Sequence, residues 1–313
     1  MDQNIESVIS EKRKICKVLK VLKIVSFIGI FASFATFMVA SGNGYELGSV
    51  WLLIPALFVG GFFLFNYMET NKRKDLKELM GQYVVRSVLG ELVQVLEYMP
   101  NGYTNEAFLH NCQILPSFNN MDGSDFIHGI YKGVEFTFSD LTLRTEKKGS
   151  PDGEFSGDNV VNFKGQFITI TSRKNINGFV QIQERISQRR ERGKKSGILS
   201  KVFSSGNSQN SIMTGNVSFD NRFDIYASDS QLAFGVLTPQ LMQGLMGLEG
   251  LLEIQIAGNM VVVAIRNDRD LFELSDKVRD NGDMEEYRRK FRDELSGILR
   301  VIDIFGTNTN LFQ

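Results

Sequence analysis

The feature that most constrains the fold of this chain is a pair of long apolar runs, residues 24–40 and 47–68. The first run contains no charged residue in seventeen positions. As α-helices the runs would be about 26 Å and about 33 Å long, close to the roughly 30 Å hydrocarbon core of a bilayer. A short turn rich in Gly and Asn, residues 41–46, separates them. The sequence therefore predicts a transmembrane helical hairpin over residues 18–68.

Basic residues on both sides of the hairpin predict its orientation. Lys and Arg are frequent in residues 12–23 and 72–77, whereas the turn between the runs has neither. Because positively charged loops stay on the cytoplasmic side, we expect both termini in the cytoplasm. Long basic side chains and amphipathic rings prefer the membrane interface, which predicts a set of membrane anchors. These anchors are Lys20, Lys23, Trp51, Tyr67, Lys72 and Arg73.

Two alternatives compete with a membrane hairpin. The first is a cleaved signal peptide, since a basic start precedes an apolar stretch. No A-x-A-like cleavage site with a polar mature chain follows the first run, and a second full span comes at once. The second alternative is a buried hairpin in a soluble protein, which two uncharged runs of this length disfavour. A two-span anchor is the stronger interpretation.

The rest of the chain is large and nearly neutral. Of the 313 residues, roughly 240 lie outside the hairpin and its leader, enough for one large or two small soluble domains. The formal net charge of −1 provides no field that attracts nucleic acid, so we expect no nucleic-acid partner. The chain has only two cysteines and two histidines. Two cysteines are too few for a disulfide framework, which fits a reducing compartment.

The pattern of apolar residues predicts how the chain is organised around the hairpin. Residues 1–17 form a basic cytoplasmic leader. Residues 69–100 have a broad apolar face at helical spacing and form a stalk helix that continues the second span. Residues 101–313 form a cytoplasmic domain in which apolar residues alternate as in strands.

Several strands are predicted in this domain, and they come as hairpins. They are residues 126–130, 134–143, 160–171, 178–186, 222–227, 251–257 and 260–266. Gly258 and Asn259 are predicted to form a tight turn between the last two strands. Thr238 is predicted to cap a short helix, and residues 284–305 form a long amphipathic helix. Hairpins without alternating helices predict an α+β fold with an antiparallel sheet.

A basic insertion, residues 188–214, separates two blocks of strands. Its Ser, Gly and Asn content predicts a flexible segment. One interpretation is contact with anionic lipid headgroups, which is worth roughly 1 kcal/mol for each basic residue near the surface. The simpler interpretation is a solvated loop. The predicted contact residues are Arg189, Arg190, Arg192, Lys194 and Lys195.

The sequence carries no recognisable catalytic or ligand-binding motif. No P-loop, G-x-G-x-x-G, G-x-S-x-G or H-E-x-x-H pattern occurs in a suitable context. His110 and Cys112 have no second pair that would complete a metal site, so packing is their expected role. Ser124, His128 and Asp140 form a nominal Ser/His/Asp set, yet any chain of this length offers such sets. We therefore predict no cofactor, no metal site and no identifiable catalytic residue.

Five acidic residues lie around the predicted turns, and two of them, Asp268 and Asp270, follow a strand and are expected to cap the next helix. The five residues are Asp220, Asp224, Asp229, Asp268 and Asp270. Metal binding by these residues has no loop signature to support it.

Short segments in a fixed order resemble a bacterial family known as domain of unknown function 3137. The segments are Gly129 to Phe136 with Ser139 and Asp140, Phe163 to Phe167, Phe219 to Phe223 with Tyr226 and Asp229, Leu237 to Pro239 with Leu241 and Met242, Gly258 with Asn259, and Asp270 to Glu273. With the leader and hairpin, the resemblance extends over nearly the whole chain. It implies a bacterial inner-membrane protein and supplies no activity, cofactor or catalytic residue. It also suggests a LemA-type membrane protein as a partner.

The sequence therefore favours a membrane-anchored interaction or scaffold protein without enzymatic activity, whose cytoplasmic domain binds a partner or the inner leaflet. The first alternative is a membrane-bound enzyme of unrecognised class, for example a hydrolase acting near lipid. A transporter subunit is a weaker alternative, because neither predicted span carries an internal charge.

Overall fold

The computed structural model describes residues 2–43, 51, 53–146, 160–185, 211–272, 284–306, 308 and 311. The chain divides into two compact units. The hairpin unit comprises residues 1–85 and 274–290, and the sheet unit comprises residues 86–273 and 291–313.

Two long helices form the main part of the hairpin unit. Helix α1 (Asp2–Gly42) has 41 residues, and helix α2 (Leu53–Leu92) has 40. At 1.5 Å per residue each is about 60 Å long, roughly twice the thickness of a hydrocarbon core. The predicted basic leader is therefore helical from Asp2, and α1 continues through the first two residues of the predicted turn. Helix α2 confirms that one continuous helix leads out of the second apolar run.

A repeat of three and four residues determines which side of α1 is covered. The buried positions are Ile9, Cys16, Leu19, Ser26 and Ser33, and the partly covered ones are Lys12, Arg13, Lys23, Gly29, Ile30 and Ala40. This spacing places them on one seam of the helix, as in coiled coils. The Phe58 ring lies so close to Gly29 that a Cβ atom there would come within 2.4 Å of it. The two helices therefore pack along a seam that mixes apolar, small and charged residues.

The sheet unit is built on six antiparallel strands. They are β1 (Gln94–Met99), β2 (Asn120–Tyr131), β3 (Val134–Thr145), β4 (Val160–Glu184), β5 (Phe223–Ala227) and β6 (Leu251–Arg266). The order is β1-β2-β3-β4-β5, and β6 pairs with β4. The fold is therefore α+β with long N-terminal helices, as the sequence predicts.

Five further helices accompany the sheet among the described residues. They are α3 (Glu106–Asn111), α4 (Val217–Arg222), α5 (Ser230–Val236), α6 (Pro239–Met246) and α7 (Met284–Gly306). The Thr238 hydroxyl accepts a hydrogen bond from the amide of Leu241, which confirms the predicted cap. The predicted inward face of α7 is also confirmed. Its members Tyr287, Phe291, Leu295, Ile298, Ile302 and Phe305 are all buried.

The structure corrects the predicted end of the stalk helix. Helix α2 ends at Leu92, and residues 94–99 form strand β1 against β2. The apolar positions Val95, Leu96 and Met99 fit either a helix or a strand. They form a strand because residues 94–99 pair with β2.

Strands β4 and β6 correct two predicted turns. The sequence predicts breaks at residues 172–177 and at Gly258-Asn259, yet each strand runs through its break. The pairing shifts around Ile176, which lies opposite Gly258, and Gly258 has a φ of +58°. Both strands therefore contain an irregularity at the same level of the sheet, where turn residues serve as a bulge.

The core of the sheet unit lies where β3, β4 and β6 meet. It contains Leu109, Ile114, Leu115, Leu141, Leu143, Phe163, Phe167, Val262 and Ala264. Side chains from α3 and the loop after it complete this cluster.

Candidate functional site

The hairpin unit exposes an unusually apolar surface. Residues 7–42 and 53–92 are helices long and apolar enough to cross a membrane. Only 11% and 6% of their most apolar windows are buried. The core helix of a soluble protein would be mostly buried, so these helices differ from that class.

We call the exposed apolar side chains of these helices between residues 18 and 68 the apolar belt. In α1 it consists of Val18, Val21, Leu22, Ile24, Val25, Phe27, Ile28, Phe31, Phe34, Phe37, Met38 and Val39. In α2 it consists of Leu53, Ile54, Leu57, Val59, Phe63, Leu64, Tyr67 and Met68. The predicted anchors Tyr67 and Trp51 are also exposed.

A buried ion network follows the belt on α2. The side chain of Glu69 is only 4% exposed and contacts Lys23 of α1. Its Oε1 atom lies 2.7 Å from the guanidinium of Arg73. Two predicted anchors, Lys23 and Arg73, thus share one carboxylate. The predicted anchor Lys72 forms a more exposed ion pair with Asp75, at 3.5 Å.

Three carboxylates meet in the sheet unit. Asp125 of β2, Asp140 of β3 and Asp270, which follows β6, bring ligand oxygens within 4.8 Å of one another. We call this set the carboxylate cluster. Such oxygens are the donors that hard cations take. One member of the cluster also has a hydrogen-bond partner within the fold. The Tyr98 hydroxyl donates to Asp125 Oδ1 at 3.1 Å.

Asp140 is the buried member of the cluster, with 4% of its surface exposed. Its Oδ1 atom accepts a hydrogen bond from Gln166 Nε2 at 3.0 Å, and Oδ2 accepts from the Leu271 amide at 2.9 Å. Burial, together with the charges of Asp270 and Asp125, raises the pKa of Asp140 well above its usual range. The two hydrogen bonds oppose this shift. The cluster therefore contains a carboxyl group that retains its proton at higher pH than usual.

The backbone around the cluster is strained. Asp125, Asp268 and Phe272 have φ angles of 57°, 58° and 60°. For a bulky residue such as Phe272 this left-handed conformation is a true outlier. Its amide donates to Glu294 Oε2 at 2.8 Å, and its ring packs on Phe291 with centroids 4.1 Å apart. Strain of this kind is often found at functional positions and persists only where the surroundings enforce it.

The nominal Ser/His/Asp set does not assemble into a triad. Ser124 lies opposite Asp140 in the pairing of β2 and β3. The Nε2 atom of His128 instead lies 2.8 Å from Glu135 Oε1. Asp140 is engaged by Gln166 and Leu271, so its described hydrogen bonds do not involve the imidazole.

His110 and Cys112 occupy packed positions. The His110 ring stacks on Phe118 with centroids 4.1 Å apart. Burial raises the pKa of the Cys112 thiol to about 11, which keeps it protonated and unreactive at neutral pH. This environment fits the packing role expected from the sequence.

The other acidic residues have structural contacts. Asp229 caps α5 through the amide of Gln231, and Asp224 pairs with Arg185 at 3.1 Å. Asp220 accepts three hydrogen bonds from Thr214 and Gly215 in the turn before α4. The helix that Asp268 and Asp270 are predicted to cap lies largely outside the described residues.

The predicted lipid-contact residues of the basic insertion also lie outside the described residues. They are Arg189, Arg190, Arg192, Lys194 and Lys195. The described part of the insertion is residues 211–214, which precede α4.

Sequence reasoning missed the carboxylate cluster and the Glu69 network. Asp140 interrupts an apolar alternation in a predicted strand, which was a usable signal. Its neighbours Asp125 and Asp270 are far apart in sequence, so only the pairing of strands brings them together. No comparable signal marks Lys23, because the seam of α1 contains Lys and Ser as well as apolar residues.

Comparison with known proteins finds a family model that matches part of the chain. No curated protein matches it. One similar solved structure is the crystal structure of the mycobacterial trehalose monomycolate transport factor A, TtfA, at 11% identity and a TM-score of 0.32. That comparison covers 70% of this chain and 95% of the other. The segments quoted at residues 129–140 precede the region that a family model matches. That model, described as Protein of unknown function (DUF3137), matches residues 161–306 and confirms the resemblance in that region.

Proposed function

We propose that this chain is a membrane-anchored interaction module in which α1 and α2 span a bilayer and the sheet unit binds a partner on the cytoplasmic side. The observation that carries the proposal is the exposed apolar belt. A belt on two adjacent antiparallel helices fits the lipid-facing surface of a two-span hairpin.

The size of the belt supports this proposal. Fully burying one large apolar side chain gains about 1.5–3 kcal/mol. The belt contains twenty such side chains that are roughly half exposed. Covering them gains on the order of 20 kcal/mol, more than the usual 5–15 kcal/mol stability of a folded domain. Lipid provides such a cover without a dedicated protein partner.

The charge distribution supports cytoplasmic termini. Basic residues flank the belt, and positively charged segments remain inside. Lys20, Lys23, Lys72 and Arg73 are proposed to lie near the inner headgroups, with Glu69 balancing part of their charge. Anionic lipid is a proposed partner of the basic insertion, and a LemA-type membrane protein is a proposed protein partner in a bacterial inner membrane.

Cysteine labelling of intact cells tests the anchor and its orientation. Asn43→Cys places a thiol after α1, and the matched variant Glu106→Cys places one on exposed α3 of the sheet unit. A membrane-impermeant maleimide is expected to label Asn43→Cys in intact cells and Glu106→Cys only after lysis. Labelling of Glu106→Cys in intact cells, or extraction of the chain by alkaline carbonate, would contradict the proposal.

Crosslinking in native membranes tests the interaction role. Purification after crosslinking is expected to recover a stoichiometric partner protein with the wild-type chain. Absence of any stoichiometric partner at native expression levels would count against this role.

The second candidate is a membrane-bound enzyme, and the carboxylate cluster is the observation that favours it. A buried carboxyl group with a raised pKa is suited to general acid catalysis. The test is incubation of nanodiscs made from native lipids with the wild-type chain or Asp270→Asn, followed by mass spectrometry. A lipid product that forms only with the wild-type chain would favour the enzyme, and identical lipid profiles would oppose it.

A further inference from the structure

The segment that follows β6, residues 267–272, is attached to the sheet by hydrogen bonds, and we call it the strap. The Leu271 amide donates to Asp140 Oδ2 at 2.9 Å. The Arg269 carbonyl accepts from Gln166 Nε2 at 3.3 Å, and the same nitrogen donates to Asp140 Oδ1 at 3.0 Å. The buried carboxyl group of Asp140 is therefore bonded both to the strap and to β4.

The strap is strained and ends in a buried ring. Asp268 and Phe272 have φ angles of 58° and 60°, in the left-handed region that L residues rarely adopt. The Phe272 ring packs between two other rings, with its centroid 5.7 Å from that of Phe138 and 4.1 Å from that of Phe291. Opening the strap would relieve the backbone conformation and withdraw this ring.

The strap is the neighbour of Asp140 that can move without breaking the sheet. Strand β3 carries Asp140 and is paired with β2 on one side and with β4 on the other. Residues 267–272 belong to no strand. Local opening begins where few backbone contacts hold a segment, so the strap should open before these strands separate.

The charges that act on Asp140 favour its neutral form. Burial raises the pKa of this carboxyl group, and the charges of Asp270 and Asp125 raise it further. Oxygen atoms of all three groups lie within 4.8 Å of one another. The charged or titratable groups on the surrounding elements are Tyr98 of β1, Asp122 and Asp125 of β2, Arg144 of β3, Lys164 of β4, Asp268, Arg269 and Asp270 of the strap, and Glu294 of α7.

Protonation of Asp140 and closure of the strap are therefore linked. An opening that brings Asp140 into water would return its pKa to the ordinary value of 3.8. Because the pKa is higher in the closed state, the closed strap loses stability as pH rises from about 3.8 through the raised value. The hydrogen bonds from Leu271 and Gln166 oppose this change, but burial and the like charges outweigh them.

We propose that the strap is a proton-dependent device, which is closed over Asp140 while this carboxyl group is protonated and opens when it ionises. The device belongs to the sheet unit alone and does not depend on the proposed anchor. Since opening also withdraws the Phe272 ring from Phe138 and Phe291, pH decides whether this apolar surface is accessible.

Fluorine NMR of the full chain in nanodiscs tests the inference. One sample carries a single 4-fluorophenylalanine at position 272, and a second carries it at position 138, whose ring lies beside Phe272. The difference in chemical shift between H2O and D2O reports exposure to water. With a chelator present, the exposed population at both positions should grow several-fold from about pH 5 to about pH 10.

Two variants and one further label serve as controls. Asp270→Asn removes a charge that raises the pKa of Asp140, so opening at high pH should fall several-fold. Asp268→Asn is the matched variant, because Asp268 lies in the same strap, is exposed, and has a left-handed φ that Asn tolerates. It should open as the wild-type chain does. A label at Phe223, which is buried in β5, should stay protected at every pH.

Three results would overturn the inference. The first is constant protection of the labels at positions 272 and 138 over the whole pH range. The second is equal opening in Asp270→Asn and the wild-type chain, since opening would then not follow the charge around Asp140. The third is loss of protection at position 223 together with position 272, which would indicate unfolding of the sheet unit and not movement of the strap.

Discussion

At the residue scale, Asp140 shows how a strand position acquires unusual chemistry. Its sequence neighbours in β3, Ser139 and Leu141, are both buried and hold it in the interior. Asp125 and Asp270 add negative charge from two other segments. The sequence alone shows an acid in a predicted strand, whereas the raised pKa depends on residues that only the fold brings near it.

The charge of Asp270 is expected to control the ionisation of Asp140. Because the folded pKa of Asp140 is raised above its ordinary value of 3.8, the protonated form favours the fold. The contribution of Asp140 to the free energy of unfolding therefore falls as pH rises from about that value through the folded pKa. Asp270→Asn removes a negative charge, so the pKa of Asp140 should fall.

The Leu271 amide provides the measurement, since it donates to Asp140. Its chemical shift in an NMR titration should show a lower midpoint in Asp270→Asn than in the wild-type chain. Asp122→Asn is the matched control on β2, where Asp122 is exposed and pairs with Arg144. Equal midpoints in Asp270→Asn and the wild-type chain would contradict the prediction.

Glu69→Gln is expected to destabilise the hairpin unit by about 2 kcal/mol, because it leaves Lys23 and Arg73 without their shared carboxylate. Asp75→Asn is the control and should cost less than about 1 kcal/mol, since its ion pair with Lys72 is half exposed. Thermal unfolding in nanodiscs measures both variants. Equal unfolding temperatures of the two variants would show that burial does not strengthen the ion pairs of Glu69.

At the element scale, pairing between strands overrides local turn signals. The Gly258-Asn259 pair has the composition of a hairpin turn, and the sequence predicts one. In the structure β6 continues because β4 pairs with it on both sides of the irregularity. The amphipathic face of α7 and the cap at Thr238 were predictable, since both depend on residues close in sequence.

Gly165 lies in β4 where that strand is paired with both β3 and β6. Its φ is +153°, and an added Cβ would lie 2.0 Å from the carbonyl oxygen of Ile265. Gly165→Ala is therefore expected to destabilise the sheet unit by about 3 kcal/mol or more.

Gly297→Ala on α7 is the matched control, because nothing lies within 4 Å of its added Cβ. A helical glycine in open space should gain about 0.5–1 kcal/mol on replacement by alanine. Chemical unfolding of the purified chain compares the two variants. Similar midpoints for both would show that Gly165 is not required by the close approach of β6.

At the scale of the whole molecule, the apolar belt is the feature expected to decide whether the protein associates with a membrane. Length and composition predict two helices long enough to cross a membrane, and the structure adds that the apolar side chains of both helices are largely uncovered. The helical leader and its seam with α2 were not predicted. They depend on a repeat of three and four residues that includes Lys and Ser, which apolar periodicity alone does not reveal.

Lysine substitutions in the belt test its contact with lipid. Phe31→Lys and Leu57→Lys place charge on exposed belt positions and should each disfavour insertion by about 2.5–3.5 kcal/mol. Ile15→Lys is the matched control, because Ile15 is an exposed apolar residue of α1 outside the belt. Quantitative membrane fractionation should show loss of the belt variants only. Equal recovery of all three variants in the membrane fraction would contradict a lipid-facing belt.

The long ladder between β4 and β6 has a mechanical consequence for a tethered chain. The two strands align thirteen residue pairs side by side, interrupted only around Ile176 and Gly258. Tension directed along the strands would load these pairs in parallel, so that many must yield together before the strands slide apart. A load across the strands would instead open the ladder one pair at a time, at much lower force.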